Sequence, residues 1–164
     1  MKMVIRKSHF LAFIAISLVI TACKSGPKPP PPTKLKGNIV AAAAINPDPA
    51  GRPSPVVMRI YHLKSNTVFE SADFFSLYND AAGTLAEDLV ATEEFMIRPG
   101  VEQPYEAEFD GEVRYIGVMA AYRDIGKAQW RDVMPLPEDG LLDFLRRKKL
   151  AIALEDVAIN VTFE

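Results

Sequence analysis

The stretch VVMRIYHLKSNTVFESADFFSLYND, residues 56–80, changes its period halfway along. Its first eight residues, Val56–Leu63, are rich in β-branched and aromatic side chains and predict a strand. From Asn66 to Asp80 the spacing becomes helical. Phe69, Asp73, Phe74, Leu77 and Tyr78 recur at three- and four-residue intervals, with Ser65, Asn66 or Thr67 available as the cap. A second short helical turn is expected over Gly83–Leu89. A strand that runs straight into a short helix, with more strands on either side, predicts a mainly β domain carrying a small helical insertion.

Downstream, turn signals recur every ten residues or so. Thr92–Arg98 reads as a strand stopped by Pro99-Gly100, and Tyr105–Phe109 as a strand closed by Asp110-Gly111, a hairpin signal. Val113–Tyr122 (VRYIGVMAAY) is the most apolar strand and is expected at the centre of a sheet. Ala128–Met134 is another, ended by Pro135 and Pro137, and Leu141–Arg147 has the pattern of one or two helical turns. Lys149–Leu154 and Val157–Phe163 complete a hairpin about Glu155-Asp156. In the last strand Val157, Ile159, Val161 and Phe163 alternate with Ala158, Asn160 and Thr162, which predicts one buried and one wet face. Upstream, Leu35–Ile45 (LKGNIVAAAAI) reads as a strand. Seven or eight short strands with one inserted helix make an all-β sandwich of two sheets the expected fold.

Before the domain, residues 1–22 read as a lipoprotein signal peptide. Lys2, Arg6 and Lys7 form a positive start, Phe10–Ile20 an apolar run broken by Ser17, and Ile20-Thr21-Ala22-Cys23 looks like a lipobox. The run is shorter than the roughly 20 residues that span a bilayer. Cys23 is the only cysteine in the chain and the expected lipidation site. Residues 24–34, KSGPKPPPPTK, continue as a Pro-rich linker that favours polyproline II and can bridge on the order of 30 Å. The β-sandwich domain is then residues 35–164. Lys24 follows the lipidated cysteine; Asp at that place is the signal for retention at the inner membrane, so outer-membrane sorting is expected, with the domain facing the periplasm.

Charge narrows the function classes. Nineteen basic side chains stand against 21 acidic ones, and without Lys2, Arg6 and Lys7 of the leader the balance is 16 against 21. A net charge near −5 argues against nucleic acid and gives no broad attraction to anionic lipid heads. After the leader there is one histidine, His62, in a strand, with no second histidine and no free cysteine to build a metal site. No G-x-S-x-G accompanies it, and a lone strand histidine reads as a packed residue. Glu106 and Glu108, a conceivable glycosidase pair, alternate on one strand face beside a turn, as at a solvated edge. Arg146-Arg147-Lys148-Lys149 reads as an exposed helix end. No catalytic residue, metal or cofactor is expected beyond a covalent lipid on Cys23.

The feature left over is a loop, Asn46-Pro47-Asp48-Pro49-Ala50-Gly51-Arg52-Pro53-Ser54-Pro55. It is longer than the roughly two to five residues of a hairpin connection. Its four prolines lower its entropy before any contact forms, which suits a recognition element. Arg52 offers a planar donor of the kind enriched in binding hot spots.

At these residues the sequence resembles a known family, the outer-membrane lipoprotein of type VI secretion systems (TssJ, also SciN or VasD). The match runs through Asn46-Pro47-Asp48, then Gly51 to Lys64, the helix around Phe69 and Ala72–Tyr78, Arg98-Pro99-Gly100, Tyr115–Val118, Ala121–Arg123 and Trp130-Arg131. The resemblance implies a transthyretin-like β-sandwich with an added helical element and a non-catalytic task. It implies docking, through the loop between the first two strands, to the periplasmic C-terminal region of TssM, with TssL reached indirectly through the complex. A rival reading is a periplasmic lipoprotein whose sandwich binds a small ligand or glycan in a deep aromatic pocket.

Overall fold

A computed structural model describes residues 31–136 and 149–164. The expected signal peptide, Cys23, the linker up to residue 30, the helical turns at 141–147 and the basic run at 146–148 lie outside the described residues. Among those described, the strands are β1 (Thr33–Ala41), β2 (Val56–Leu63), β3 (Leu89–Ile97), β4 (Glu102–Phe109), β5 (Tyr115–Ala120), β6 (Arg131–Pro135), β7 (Leu150–Leu154) and β8 (Ile159–Phe163). They form two sheets ordered β4-β1-β7-β8 and β3-β2-β5-β6. The fold is the two-sheet β-sandwich with few short helices. β1 pairs antiparallel with β4 and parallel with β7.

β2 explains why its sequence is apolar almost without interruption: both of its faces are covered. Met58 and Ile60 point between the sheets, where they meet Ile39, Phe109 and Ile152 in one core cluster. Tyr61 and Leu63 point the other way, into a second core roofed by Phe69, Leu77 and Leu85 of the helical insertion. All five of those residues are at most 2% exposed. Gly117 of β5 lies directly below: a Cβ there would stand 2.9 Å from both Phe69 and Leu63, so only glycine lets the insertion seat this closely.

The insertion is not one helix. It consists of α1 (Thr67–Ser71), α2 (Phe74–Asn79), α3 (Ala81–Leu85) and a 3₁₀ turn, Ala86–Asp88. The break falls at Ala72-Asp73 because Asp73 caps α2, its carboxylate accepting the Ser76 N–H at 3.0 Å. The Asn66 side chain, a candidate cap, makes no cap bond and donates instead to Glu70 Oε1 at 2.9 Å. Two arginines from the sheet fasten the insertion. Arg59 donates to the Tyr78 carbonyl at 2.6 Å, pairs with Glu94 at 2.7 Å and lies 4.6 Å from the Tyr78 ring. Arg131 donates to the carbonyls of Phe69 and Ala72 at 2.8 and 2.5 Å and lies over Trp130. Each satisfies helix-end carbonyls that lack a partner within the helix.

Three sequence expectations are corrected. The first strand ends at Ala41, not Ile45, and the chain turns at once. Asp110-Gly111 makes a turn, with Asp110 Oδ1 accepting the Glu112 N–H and its carbonyl the Val113 N–H, but not a hairpin. β4 pairs with β1 and β5 with β2, so this turn carries the chain from one sheet to the other. Turn residues fix where a chain reverses, not which strand it returns beside. Val157, expected on the buried face of the last strand, lies before β8 begins and is 38% exposed.

The two long sides of the sandwich differ. Between β6 and β8 the sheets are joined: Asp132 Oδ2 accepts the Val161 N–H at 2.7 Å, and Gln129 bridges to Ala158. Between β3 and β4 the link is through side chains. Glu93 Oε1 accepts the Tyr105 hydroxyl at 2.8 Å and sits 2.9 Å from His62 Nε2. Burial, helped by this contact with Glu93, pushes the Tyr105 phenol well above its ordinary pKa.

Candidate functional site: the loop pole and its groove

The chain enters β1 at Thr33, beside Phe109, and leaves it at Ala41, at the other end of the molecule. The Asn46–Pro55 loop therefore stands at the pole opposite the N-terminal entry. Its ends are packed and its middle is open. Asn46 is 4% exposed and Ser54 9%. Pro47 and Asp48 are half-buried, while Pro49, Ala50, Gly51, Arg52, Pro53 and Pro55 are exposed. The candidate binding surface is thus those last six residues, with Asn46 and Ser54 serving as supports.

Asn46 holds the loop from beneath. Its Nδ2 donates to the Pro55 carbonyl and its Oδ1 accepts the Arg123 N–H, each at 2.8 Å, while its own N–H reaches the Asp156 carbonyl. Its φ of 52° lies in the left-handed region, where Asn is better tolerated than most residues. Asp48 organises the middle. Its Oδ1 accepts the N–H groups of Ala50 and Arg52, and its Oδ2 accepts Arg52 Nε at 2.8 Å. These backbone and guanidinium bonds from Arg52, with Ala50 behind them, hold the Asp48 carboxyl below the usual carboxylate range. Gly51 takes a φ of 77°, which closes the turn. Arg52 consequently has two roles. Its guanidinium ties the loop to itself at 2.7 Å from Asp48, yet its side chain remains 81% exposed.

Beside the loop lies an open groove of about 530 Å³, lined by Asn46–Pro49, Tyr122–Asp124, Lys127 and Val157. Tyr122 fixes its far wall by donating to the Ala158 carbonyl at 2.6 Å. Sequence reasoning missed Asp124, Lys127 and Val157 as neighbours of the loop. Their proximity follows from sheet order, which brings the ends of β5 and β7 to the same pole, and no local signal carries that. The remaining candidates fall elsewhere. His62 is buried against Phe109, ring centroids 4.4 Å apart. Glu106 and Glu108 pair with Lys36 and Lys34 on the outer face of an edge strand. Among the described residues, no group of three or more His, Cys, Asp or Glu is placed to hold a metal ion, and no helix is long and apolar enough to cross a membrane.

The comparisons with known proteins agree with this architecture. The family described as the type VI secretion lipoprotein VasD, EvfM, TssJ matches residues 33–157. No curated protein matches the chain. Among solved structures, the T6SS lipoprotein TssJ1 from Pseudomonas aeruginosa is 39% identical, with a TM-score of 0.74 over 82% of this chain and 98% of that one. Lip from Serratia marcescens, described as a membrane-bound component of the type VI secretion system, is 26% identical, with a TM-score of 0.71 over 79% of this chain and 96% of that one. A chain in a structure described as the T6SS protein TssM C-terminal domain from EAEC is 28% identical, with a TM-score of 0.60 over 80% of this chain and 97% of that one. With a family match over most of its length and a 39% identical structural relative that it covers almost completely, this chain belongs to the TssJ family of type VI secretion lipoproteins.

Proposed function

We propose that this protein is the outer-membrane member of a type VI secretion envelope complex and binds the periplasmic C-terminal region of TssM through its Asn46–Pro55 loop. On this reading residues 1–22 are removed, Cys23 carries the acyl chains, residues 24–32 are a spacer, two residues shorter than expected because Thr33 and Lys34 already pair with β4, and the domain from Thr33 faces the periplasm. TssL is reached only through the complex, and the protein's work is docking rather than catalysis. The observation that carries the reading is the loop itself. It is shaped by its own polar bonds, presents an exposed Pro/Arg surface, and stands at the pole away from the N-terminal entry. A loop fixed before contact loses little entropy on docking. The TssM structure lends support too. The alignment takes in 97% of the chain matched there and 80% of this one, so that chain is close in size to the folded domain of this protein. The small-ligand reading gains nothing from the groove, whose one aromatic, Tyr122, is 3% exposed with its hydroxyl already engaged.

The test replaces Pro47–Pro53 with Gly and Ser residues, leaving the buried Asn46 and Ser54 in place. The melting temperature should hold within a few degrees, since surface loops tolerate change. Affinity of the full-length protein for the purified TssM region should fall at least about tenfold, roughly 1.4 kcal/mol. Unchanged affinity in a folded variant refutes the loop assignment. Cys23→Ser should release the protein into the soluble periplasmic fraction; retention in the membrane pellet refutes the anchor.

A further inference from the structure

The groove beside the loop has an unusual balance of charge. Four of its lining residues are ionised: Asp48, Arg123, Asp124 and Lys127. Asp48 is taken by Arg52 and Asp124 by Lys127, at 2.7 and 2.9 Å. Arg123 forms no salt bridge among the described residues, and Asp48 acts on it only through space. Its backbone N–H is fixed by Asn46, so the residue is held in place while its guanidinium has no partner among the described residues.

The floor is apolar and equally well held. Val157 is 38% exposed although it sits between two hydrogen-bonded segments. Its carbonyl accepts the Gln129 N–H at 3.0 Å, the preceding carbonyl of Asp156 accepts the Asn46 N–H, and the following carbonyl of Ala158 takes the Tyr122 hydroxyl. The alternation of the last strand would have buried this side chain; the turn before β8 rotates it out to the groove instead. Pro47 and Pro49 face it from the loop side. An apolar floor between rigid walls, beside a cation that is unpaired among the described residues, is a preorganised receptor for a short segment with an acidic and an apolar side chain.

We propose that this groove is the second half of the partner site: it receives a segment of the TssM periplasmic region that sets a carboxylate on Arg123 and an apolar side chain on Val157. The inference rests on the loop-docking reading and adds to it, since it moves part of the recognition off the Asn46–Pro55 loop and onto the turns after β5 and β7. Continuity supports a single occupant. Asn46 joins the loop to Arg123, and Pro47 and Pro49 belong to both surfaces.

The experiment is a titration of full-length protein, purified in detergent, against the purified periplasmic C-terminal region of TssM from the same system. Arg123→Glu and Val157→Arg should each weaken binding by more than tenfold with unchanged melting temperature. Arg123→Lys keeps the charge but loses the planar fork, so its affinity should fall between those of the wild type and Arg123→Glu. Lys127→Ala should stay within about threefold, since its ammonium serves Asp124. If Arg123→Glu lowers the melting temperature, Arg123→Gln takes its place and should still cost more than threefold. Wild-type affinity in Arg123→Glu and Val157→Arg, alongside loss of binding when Pro47–Pro53 is replaced, overturns the groove and leaves the loop reading standing. Wild-type affinity in all three overturns both.

Discussion

The helical insertion and the Asn46–Pro55 loop both interrupt the sandwich, and they are held in opposite ways. The insertion lies flat on a sheet and is fixed by buried carbon: Phe69 and Leu77 are fully buried and Leu85 nearly so. The loop stands free of the core and is fixed by oxygen and nitrogen, through Asn46 below and Asp48 within. Burying one large apolar side chain is worth about 1.5–3 kcal/mol, whereas a typical hydrogen bond nets about 1. The insertion therefore contributes stability to the whole domain. The loop gains a defined shape at little energetic cost, and its outer side chains stay available to a partner.

That contrast can be broken at chosen points. Phe69→Ala should have the largest effect, a loss of about 3–5 kcal/mol in chemical denaturation, because it opens a cavity under the insertion. At low temperature, where the variant stays folded, affinity for TssM should be unchanged if the insertion is purely structural. Asn46→Ala should cost less, about 1–2 kcal/mol, from the part-buried Arg123 N–H and Pro55 carbonyl left without their partner. Its damage should be local, read as faster amide exchange at Arg123 and as weakened TssM binding. Ala86→Gly should change stability in the other direction. Ala86 sits at φ 47° and ψ −123°, a conformation that suits glycine, so relief of strain should add about 1 kcal/mol to unfolding stability. Val157→Ala should be the smallest, within about 0.5 kcal/mol by thermal melting, because its side chain faces the groove rather than the core.

The same contrast explains what the sequence could and could not reveal. Strands whose faces alternate or are wholly apolar were legible, and Val56–Leu63 was placed to the residue. The loop was legible too, since Pro, Gly, Asn and Asp at that density exclude regular structure. What failed depended on partners far away in the chain. The parallel pairing of β1 with β7 and the crossing of Asp110-Gly111 between sheets are set by which strands can share a core, not by local residues. The break at Asp73 was local, but its capping signal lay hidden among Phe69, Phe74 and Tyr78, whose spacing fits one helix as well as two. Within the site, burial divided the candidates: Asn46 and Ser54 read like their exposed neighbours, and the bonds that hold them inward run to Arg123, Asp156 and Ile45, which no local signal announces. Arg123 resembled any residue after a strand until the fold set it beside Asn46.

β1 joins the two poles, and its neighbours decide how the molecule would bear load. It enters at Thr33, exits toward the loop, and lies between β4 and β7 in the interior of its sheet. A pull between the N-terminal tether and a partner gripping the loop runs along the axis of this strand. Its ladders, from Thr33 to Val40 against β4 and from Gly37 to Ala41 against β7, then lie across the force and are strained together in shear, instead of opening one after another like a zipper. On the proposed reading of an N-terminal anchor and a docking loop, this sets a shear-loaded strand on the line between membrane and partner.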